Sequence, residues 1–173
     1  EAAFYNAGQD CTAATRVLVH ESIHDEFVQQ LVTHTREHIR TGPPHDDVFY
    51  GPLSGAAQLA NVARFIDTLP THATVATGGH RVGDRGFFWA PTVITGVRQD
   101  DDVVQQEIFG PVLTVQSFRT EGEAIELANG VPFALAASVW TEDHRTAMRM
   151  SRELDFGCVW INAHLPFVSD MPH

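Results

Sequence analysis

The alternation of short β-branched runs with amphipathic segments constrains the fold of this chain more than any other sequence feature. Apolar residues at helical spacing predict helices at residues 23–39, 121–128 and 142–154, and another that Ser54 caps and that ends near Pro70. β-Branched and apolar runs predict strands at residues 16–20, 74–77, 87–97, 112–118, 135–140 and 158–162. This alternation is typical of an α/β domain with a largely parallel central sheet flanked by helices. No linker, repeat or charge block divides the sequence, so we expect one domain over residues 1–173.

The charge of the chain argues against a nucleic-acid-binding protein. Its 173 residues include 22 Asp and Glu against 11 Lys and Arg, which gives a formal net charge of −11 at pH 7. Such a chain has no general attraction to phosphate, and its Lys and Arg residues form no cluster. The apolar fraction of 43% supplies one hydrophobic core and excludes an intrinsically disordered protein. No apolar run reaches the roughly 18–20 residues of a membrane span, so we expect no membrane partner.

The two cysteines, Cys11 and Cys158, are too few for a disulfide scaffold, although counting leaves a single bridge between them open. A low cysteine count is typical of a reducing compartment, so we expect a cytoplasmic protein. The chain starts at Glu1 without an initiator Met, a basic region or a signal-peptide stretch. We therefore expect that it begins within a longer protein.

The first segment with chemical potential surrounds Cys11. A Gly-Gln pair precedes this cysteine, and the small residues 12–15 that follow are able to form a helical turn. The free N–H groups at the start of such a turn stabilise a thiolate and, later in a reaction, an oxyanion. The alternative is that Cys11 is an ordinary buried cysteine. The other cysteine, Cys158, lies within a predicted strand, and we interpret it as a core residue.

A second segment carries a carboxylate and an aromatic ring close together. Glu107 is followed by Phe109 and then by a Gly-Pro pair that opens the predicted strand at residues 112–118. A carboxylate at such a turn is able to accept both ribose hydroxyls of a dinucleotide, and the ring is able to pack beside a nicotinamide. The alternative is a surface glutamate beside a core phenylalanine.

A third segment, residues 162–173, is an irregular loop that bears aromatic side chains. It follows the predicted strand at residues 158–162 directly. In α/β sheets, ligands bind at the carboxyl ends of the strands. We therefore expect this loop to contribute to a ligand site.

Together these segments resemble the aldehyde dehydrogenase superfamily over essentially the whole chain. The family's nucleophile segment, Phe-x-x-x-Gly-Gln-x-Cys, is matched by Phe4, Gly8, Gln9 and Cys11. Its Glu-x-Phe-Gly-Pro motif is matched, at the family's separation, by Glu107, Phe109, Gly110 and Pro111. A further family landmark is similar to residues 128–130 and 136–140, although residues 133–135 read Phe-Ala-Leu where the family has Tyr-Gly-Leu.

The resemblance implies an aldehyde dehydrogenase catalytic domain truncated at both ends, without its cofactor-binding domain. It also implies that the Cys11 thiolate attacks an aldehyde, that hydride passes to NAD, and that water hydrolyses the resulting thioester. Glu107 would then hold the nicotinamide ribose and Phe109 would pack beside the ring. NADP stays open, because its contacts belong to the absent domain. We expect the full-length protein to be a homo-oligomer, a dimer or tetramer, and the chain alone to be inactive.

Within the superfamily, the segments around Cys11 and after residue 158 are most similar to the γ-aminobutyraldehyde dehydrogenase branch. The resemblance implies a short ω-aminoaldehyde substrate. Asp10 and Asp170 are candidates to pair with its ammonium group, and Leu165 and Phe167 are candidates to line its methylene chain. Alternatively, Asp10 caps the following turn and Asp170 is simply solvated.

Two other interpretations compete with the aminoaldehyde. Betaine aldehyde carries a quaternary ammonium, which prefers an aromatic face such as that of Phe167 to a carboxylate. A non-catalytic binding or structural module derived from this half of the fold is the rival from another class. The presence or absence of an upstream gene segment of family length distinguishes this rival from an enzyme.

Two further patterns resemble functional motifs. Residues 34–38 spell His-x-x-Glu-His, a zinc pattern, but no third ligand pair is evident and we predict no metal site. Residues 78–86 are rich in glycine but lack the Gly-Lys-Ser/Thr of a phosphate loop. We interpret them as a hairpin turn.

Overall fold

The structure, a computed structural model, describes residues 1–167, 169 and 170, and it shows an α/β fold with two sheets. The strands described are β1 (Arg16–His20), β2 (Thr74–Thr77), β3 (Thr92–Thr95), β4 (Val112–Phe118), β5 (Ala136–Val139) and β6 (Cys158–Ile161). The α-helices described are α1 (His24–His38), α2 (Ala56–Asp67), α3 (Asp102–Gln105), α4 (Glu121–Asn129) and α5 (His144–Glu153). Among these residues, no helix is both long and apolar enough to cross a bilayer.

The larger sheet has four strands in the order β1-β4-β3-β2. Its inner strand β4 pairs in parallel with β1 on one side and with β3 on the other, while β2 pairs antiparallel with β3. Since β1 and β4 are parallel, the segments that precede them reach the same edge of the sheet. This arrangement brings the Cys11 turn and the Glu107 loop together.

The core of the larger sheet forms against α2. Val62 and Phe65 are three residues apart, so they share one face of this helix, and both are fully buried. They join Val93 and Ile94 of β3 in one hydrophobic cluster. The helix that carries this face therefore lies firmly on the sheet, and its other side chains are available to hold neighbouring loops.

The buried polar groups of Tyr50 and Trp89 next to this core have hydrogen-bonding partners. The Tyr50 hydroxyl donates to the carbonyl oxygen of Trp89 at 2.7 Å, and burial raises the pKa of Tyr50. The indole N–H of Trp89 donates to the Thr92 hydroxyl at 3.1 Å. These bonds fix the chain before β3, because an unpaired buried polar group would be costly.

The smaller sheet consists of β5 and β6 in parallel and packs with α4 and α5. Its hydrophobic cluster joins Ala124 of α4, Val139 of β5 and Met150 of α5. Arg149 of α5 donates two hydrogen bonds to the carboxylate of Glu121, and this bonding holds the pKa of Glu121 below its usual range. The two helices are therefore joined by an ion pair at the surface as well as by apolar packing.

The α/β class and the largely parallel pairing are confirmed, but three local expectations were wrong and one short helix was missed. The strand expected at residues 87–97 is shortened to β3, because the segment before it forms only an isolated bridge between Arg81 and Trp89. Ser54 does not cap α2, because the helix begins at Ala56 and Gly55 takes the cap position. Residues 12–15 form no helical turn, and the short helix α3 was not expected.

Asp101 joins the start of α3 to the segment before β2. Its side chain is 9% exposed and accepts from His72 Nε2 at 2.9 Å and from the backbone N–H of Arg98 at 2.7 Å. Burial by itself raises the pKa of this carboxyl, but the bonds from Arg98 and His72 outweigh burial and hold the pKa below its usual range. The folded state therefore favours the carboxylate.

We expect Asp101→Asn to lower the free energy of unfolding by about 1–2 kcal/mol at neutral pH. Because the folded pKa lies below the unfolded value of about 3.9, this stabilisation is complete above that value. It disappears as the pH falls through the lower folded value. Urea unfolding of wild type and variant over a pH series measures the difference, and a difference that persists unchanged in acid would contradict the role of the charge.

Candidate active site

A cavity of about 340 Å³ is lined by residues from both sequence motifs. Residues of β1 in the larger sheet and of β5 in the smaller sheet both line it. Its lining also includes Asp10, Cys11, Glu107, Phe109 and His164. The structure therefore brings four of the seven predicted site residues to one cavity, together with a histidine that was not predicted.

The turn before Cys11 has an unusual backbone. Asn6, Ala7 and Gly8 adopt left-handed conformations in succession, with φ values of 50°, 58° and 68°. Each non-glycine residue in this conformation costs about 1–2 kcal/mol, so surrounding contacts must hold the turn. Gln9 supplies one of them, because its Oε1 accepts from the N–H of Ser54 at 2.8 Å. Cys11 then follows as an exposed, free thiol.

Gly8 joins the two motifs through a direct backbone contact. A Cβ atom at this position would lie 2.1 Å from the carbonyl oxygen of Gly110 and 2.5 Å from its carbon. The absence of a side chain at Gly8 therefore allows the Cys11 turn to lie directly on the Glu107 loop. Gly110 has a different reason to be glycine, because a Cβ there would lie 2.6 Å from Cγ2 of Val62 in α2.

The Glu107 loop is held from α2. Gln58 donates its Nε2 to the carbonyl oxygens of Ile108, at 2.8 Å, and Phe109, at 2.7 Å. Phe109 has a left-handed backbone, with φ of 54°, and its side chain is 39% exposed. Glu107 is exposed as well. A fixed backbone thus presents a carboxylate and an aromatic ring to the solvent side of the cavity.

Asp10 fills the structural role that the sequence left open. Its Oδ1 accepts from the backbone N–H and from the hydroxyl of Thr12, both at 2.7 Å. This bonding closes the turn that contains Cys11. The carbonyl oxygen of Thr12 in turn accepts from His164 Nε2 at 2.8 Å.

The predicted substrate residues of the final loop lie further from the cavity. Leu165, Phe167 and Asp170 do not belong to its lining. Phe167 is 61% exposed and packs edge-on against Trp160, with ring centroids 5.8 Å apart. Asp170 is exposed, and Leu165 has a left-handed φ of 74°. The structure does not place these three beside Cys11.

His34 and His38 lie one turn apart on α1, with ring centroids 4.6 Å apart. Across the residues that the structure describes, no group of three or more His, Cys, Asp or Glu side chains is arranged to hold a metal ion. The pair carries no metal assignment.

Comparison with known proteins places the whole chain in one family. A model described as the aldehyde dehydrogenase family matches residues 1–173. The chain belongs to the aldehyde dehydrogenase family. Members of this family are oxidoreductases that act on small aldehydes, so the predicted enzyme class is confirmed.

Relatives of this aldehyde dehydrogenase chain include enzymes for charged aldehydes. A betaine aldehyde dehydrogenase of Bacillus subtilis is 39% identical over 177 residues, which cover 99% of this chain and 36% of the relative. A chloroplastic aminoaldehyde dehydrogenase of Arabidopsis thaliana is 38% identical over 172 residues, which cover 98% and 34%. The chain therefore spans about a third of the length of these relatives.

A solved structure in the aldehyde dehydrogenase family shares this fold. It is a Staphylococcus aureus betaine aldehyde dehydrogenase mutant in complex with NAD⁺, with one cysteine modified by BME. It superposes with a TM-score of 0.91 at 39% identity, over 97% of this chain and 35% of that one. The fold predicted from the strand and helix pattern is thereby confirmed.

Proposed function

We propose that the whole protein oxidises an aldehyde to its carboxylic acid with NAD⁺, and that Cys11 is the nucleophile. The observation that carries the proposal is the contact between Gly8 and Gly110, because it puts the exposed thiol and the Glu107 loop at one cavity. Hydride transfer requires nucleophile and cofactor to meet in a single site. A relative whose cysteine is modified by BME supports a reactive thiol in this fold.

The proposed chemistry starts with the Cys11 thiolate. Its sulfur forms a bond to the aldehyde carbon while the carbonyl electron pair moves to oxygen, and the backbone N–H of Cys11 stabilises the resulting oxyanion. Bound NAD⁺ supplies the acceptor for the hydride that leaves this carbon. Water then attacks the thioester on Cys11, the carbon–sulfur bond breaks, and the acid, the thiolate and one proton are released.

The residues of the Glu107 loop fit the nicotinamide half of the cofactor. Glu107 offers an exposed carboxylate, which is able to accept from both ribose hydroxyls. Phe109 offers a partly exposed ring on a backbone that Gln58 holds through two hydrogen bonds. NAD⁺ is also the cofactor in a structural relative, whereas NADP stays an alternative acceptor.

For the substrate, we propose a short ω-aminoaldehyde such as 4-aminobutanal. Asp10 lines the cavity beside Cys11, and Thr12 engages only its Oδ1 in the bonds that close the turn. A carboxylate in that place attracts a cationic tail. The chloroplastic relative named as an aminoaldehyde dehydrogenase supports this choice.

Betaine aldehyde is the second candidate, because exposed aromatic rings favour a quaternary ammonium. Phe167 and Trp140 are both largely exposed, and Trp140 lines the cavity. Relatives named as betaine aldehyde dehydrogenases support it too. The two candidates differ in whether a carboxylate or a ring recognises the cation.

We expect Asp10→Asn to lower kcat/KM for 4-aminobutanal by about one to two decades, with little change for neutral butanal. The variant keeps an oxygen that accepts from Thr12, so it removes the charge without opening the turn. Asp170→Asn serves as the parallel test of the final loop. Initial rates of NADH formation with both aldehydes measure the effect, and an equal loss on both would assign Asp10 to the turn alone.

The proposal itself is tested by assaying the whole protein with NAD⁺ and a panel of 4-aminobutanal, betaine aldehyde and butanal. NADH formation with any of them supports aldehyde oxidation, and their ranking identifies the substrate. No turnover with any aldehyde would favour the non-catalytic module. We expect the 173-residue chain alone to be inactive, because it spans only about a third of its relatives.

Assembly and compartment remain proposals. We propose that the whole protein is a homo-oligomer, a dimer or tetramer, as its resemblance to the aldehyde dehydrogenase superfamily implies. We also propose a cytoplasmic protein on the grounds of its two free cysteines. Relatives named as mitochondrial and chloroplastic show that the family also occurs in other compartments.

A further inference from the structure

His164 connects the end of the chain to the residue next to Cys11. It lies three residues beyond β6, yet its Nε2 is 2.8 Å from the carbonyl oxygen of Thr12, a separation of 152 residues in sequence. Its Nδ1 lies 3.2 Å from the hydroxyl of Ser138 in β5. The imidazole therefore bridges the Cys11 turn and the smaller sheet.

Both ring nitrogens of His164 have polar neighbours. A carbonyl oxygen only accepts, so Nε2 must donate to Thr12. The Ser138 hydroxyl accepts from the indole N–H of Trp140 at 3.3 Å, which leaves its own hydrogen to donate to Nδ1. With hydrogen on Nε2, both ring nitrogens therefore have a hydrogen-bonding partner. Trp160 packs on its edge, with centroids 4.8 Å apart, and limits its rotation.

Thr12 is the residue through which this bond acts on Cys11. It is only 4% exposed, and its N–H and hydroxyl are both bound by Asp10. With His164 on its carbonyl, all three polar groups of Thr12 are engaged. The peptide groups that follow Cys11 therefore have little freedom, which limits the directions that the thiol can take.

We propose that His164 is a positioning residue that aligns Cys11 by holding the Thr12 carbonyl. The inference rests on the proposed role of Cys11 as nucleophile. It also gives the final loop a task different from the one predicted for Leu165, Phe167 and Asp170. The final loop aligns Cys11 through the bond between His164 and the Thr12 carbonyl, independently of what the other residues of the loop contact.

The test compares His164→Phe and His164→Gln in the whole protein. Phenylalanine keeps the ring volume but removes both bonds, whereas glutamine places an N–H donor near the position of Nε2. We expect phenylalanine to lower kcat by about ten- to a hundredfold, because small misplacements of a nucleophile are costly, and to leave the KM for NAD⁺ unchanged. The rate of Cys11 alkylation by iodoacetamide should fall in parallel, and glutamine should restore most of both rates.

His80→Phe is the matched control. The His80 ring bonds the carbonyl oxygen of Gly78 at 3.0 Å in the loop after β2, so the substitution removes the same kind of bond elsewhere. We expect its kcat and alkylation rate to match those of the wild type. Thermal unfolding of each variant shows whether the fold is intact.

Several results would overturn the inference. One is a folded His164→Phe enzyme with wild-type kcat and alkylation rate. Another is a His164→Gln enzyme whose kcat and alkylation rate are as low as those of His164→Phe. If phenylalanine prevents folding, Ser138→Ala loosens the ring from its other side and should lower kcat severalfold; wild-type kcat there also overturns it. If instead Cys11→Ala keeps its activity, the proposed function fails, and that outcome is distinct from these.

Discussion

Replacing Cys11 with alanine in the whole protein should reduce aldehyde oxidation by about 10⁴-fold or more, since loss of a covalent nucleophile removes the reaction path itself. The thiol is exposed at a cavity that the Glu107 loop also lines, and no second cysteine shares this cavity among its described lining residues. Steady-state NADH formation measures the loss. Binding of NAD⁺, followed by titration, should be unchanged, because the substitution leaves Glu107 and Phe109 in place.

Cys158→Ala is the matched control for this prediction. Cys158 is a free, half-buried thiol within β6, so its removal should cost some stability but leave kcat within about twofold. Iodoacetamide should label Cys11 first, and peptide mass mapping identifies the site. Inactivation that follows labelling of Cys158 would contradict the assignment.

Gly8→Ala should be among the most damaging substitutions of a single small residue in this chain. The added Cβ would lie 2.1 Å from the carbonyl oxygen of Gly110. The backbone fixes the positions of both atoms, so no side-chain rotation is able to relieve the contact. The φ of 68° adds left-handed strain. We expect the free energy of unfolding to fall by about 3 kcal/mol or more, and any folded enzyme to lose most of its turnover.

Gly83→Ala separates the two causes. Gly83 has nearly the same φ, 69°, but a Cβ there meets nothing within 4 Å. It should therefore show only the left-handed cost of about 1–2 kcal/mol and keep its activity. Urea unfolding and NADH formation for both variants make the comparison. Equal stability losses would mean that the contact between Gly8 and Gly110 does not join the motifs tightly.

The sequence predicted most of the elements because their signals are local. The apolar spacing of α2 and the β-branched run of β4 specify a buried face and a buried strand by themselves. The two motifs were found for the same reason, since each is a short run of adjacent residues. Errors arose where one local signal left the exact boundary open, as at α2, whose cap position is Gly55 although Ser54 is the better capping residue type.

The supporting residues of the site could not be predicted in this way. Gln58 and His164 both act on backbone carbonyl oxygens, which every residue possesses, so no sequence pattern marks their partners. The left-handed backbone of Ala7 could not be predicted either, because alanine rarely adopts this conformation. Gln58 and His164 lie 50 and 152 residues from their partners Ile108 and Thr12, so only the folded chain brings them together.

The bond between Thr12 and His164 also has a consequence for how the protein is made. It joins residues 152 positions apart, and the β1–β4 pairing near it also spans most of that distance. Chains grow on the ribosome at about 5–20 residues per second, so the Cys11 turn emerges roughly 8–30 seconds before the histidine that completes it. During this interval the nascent chain carries the Cys11 thiol without the bond that we propose aligns it, and the proposed site is complete only after His164 has been synthesised.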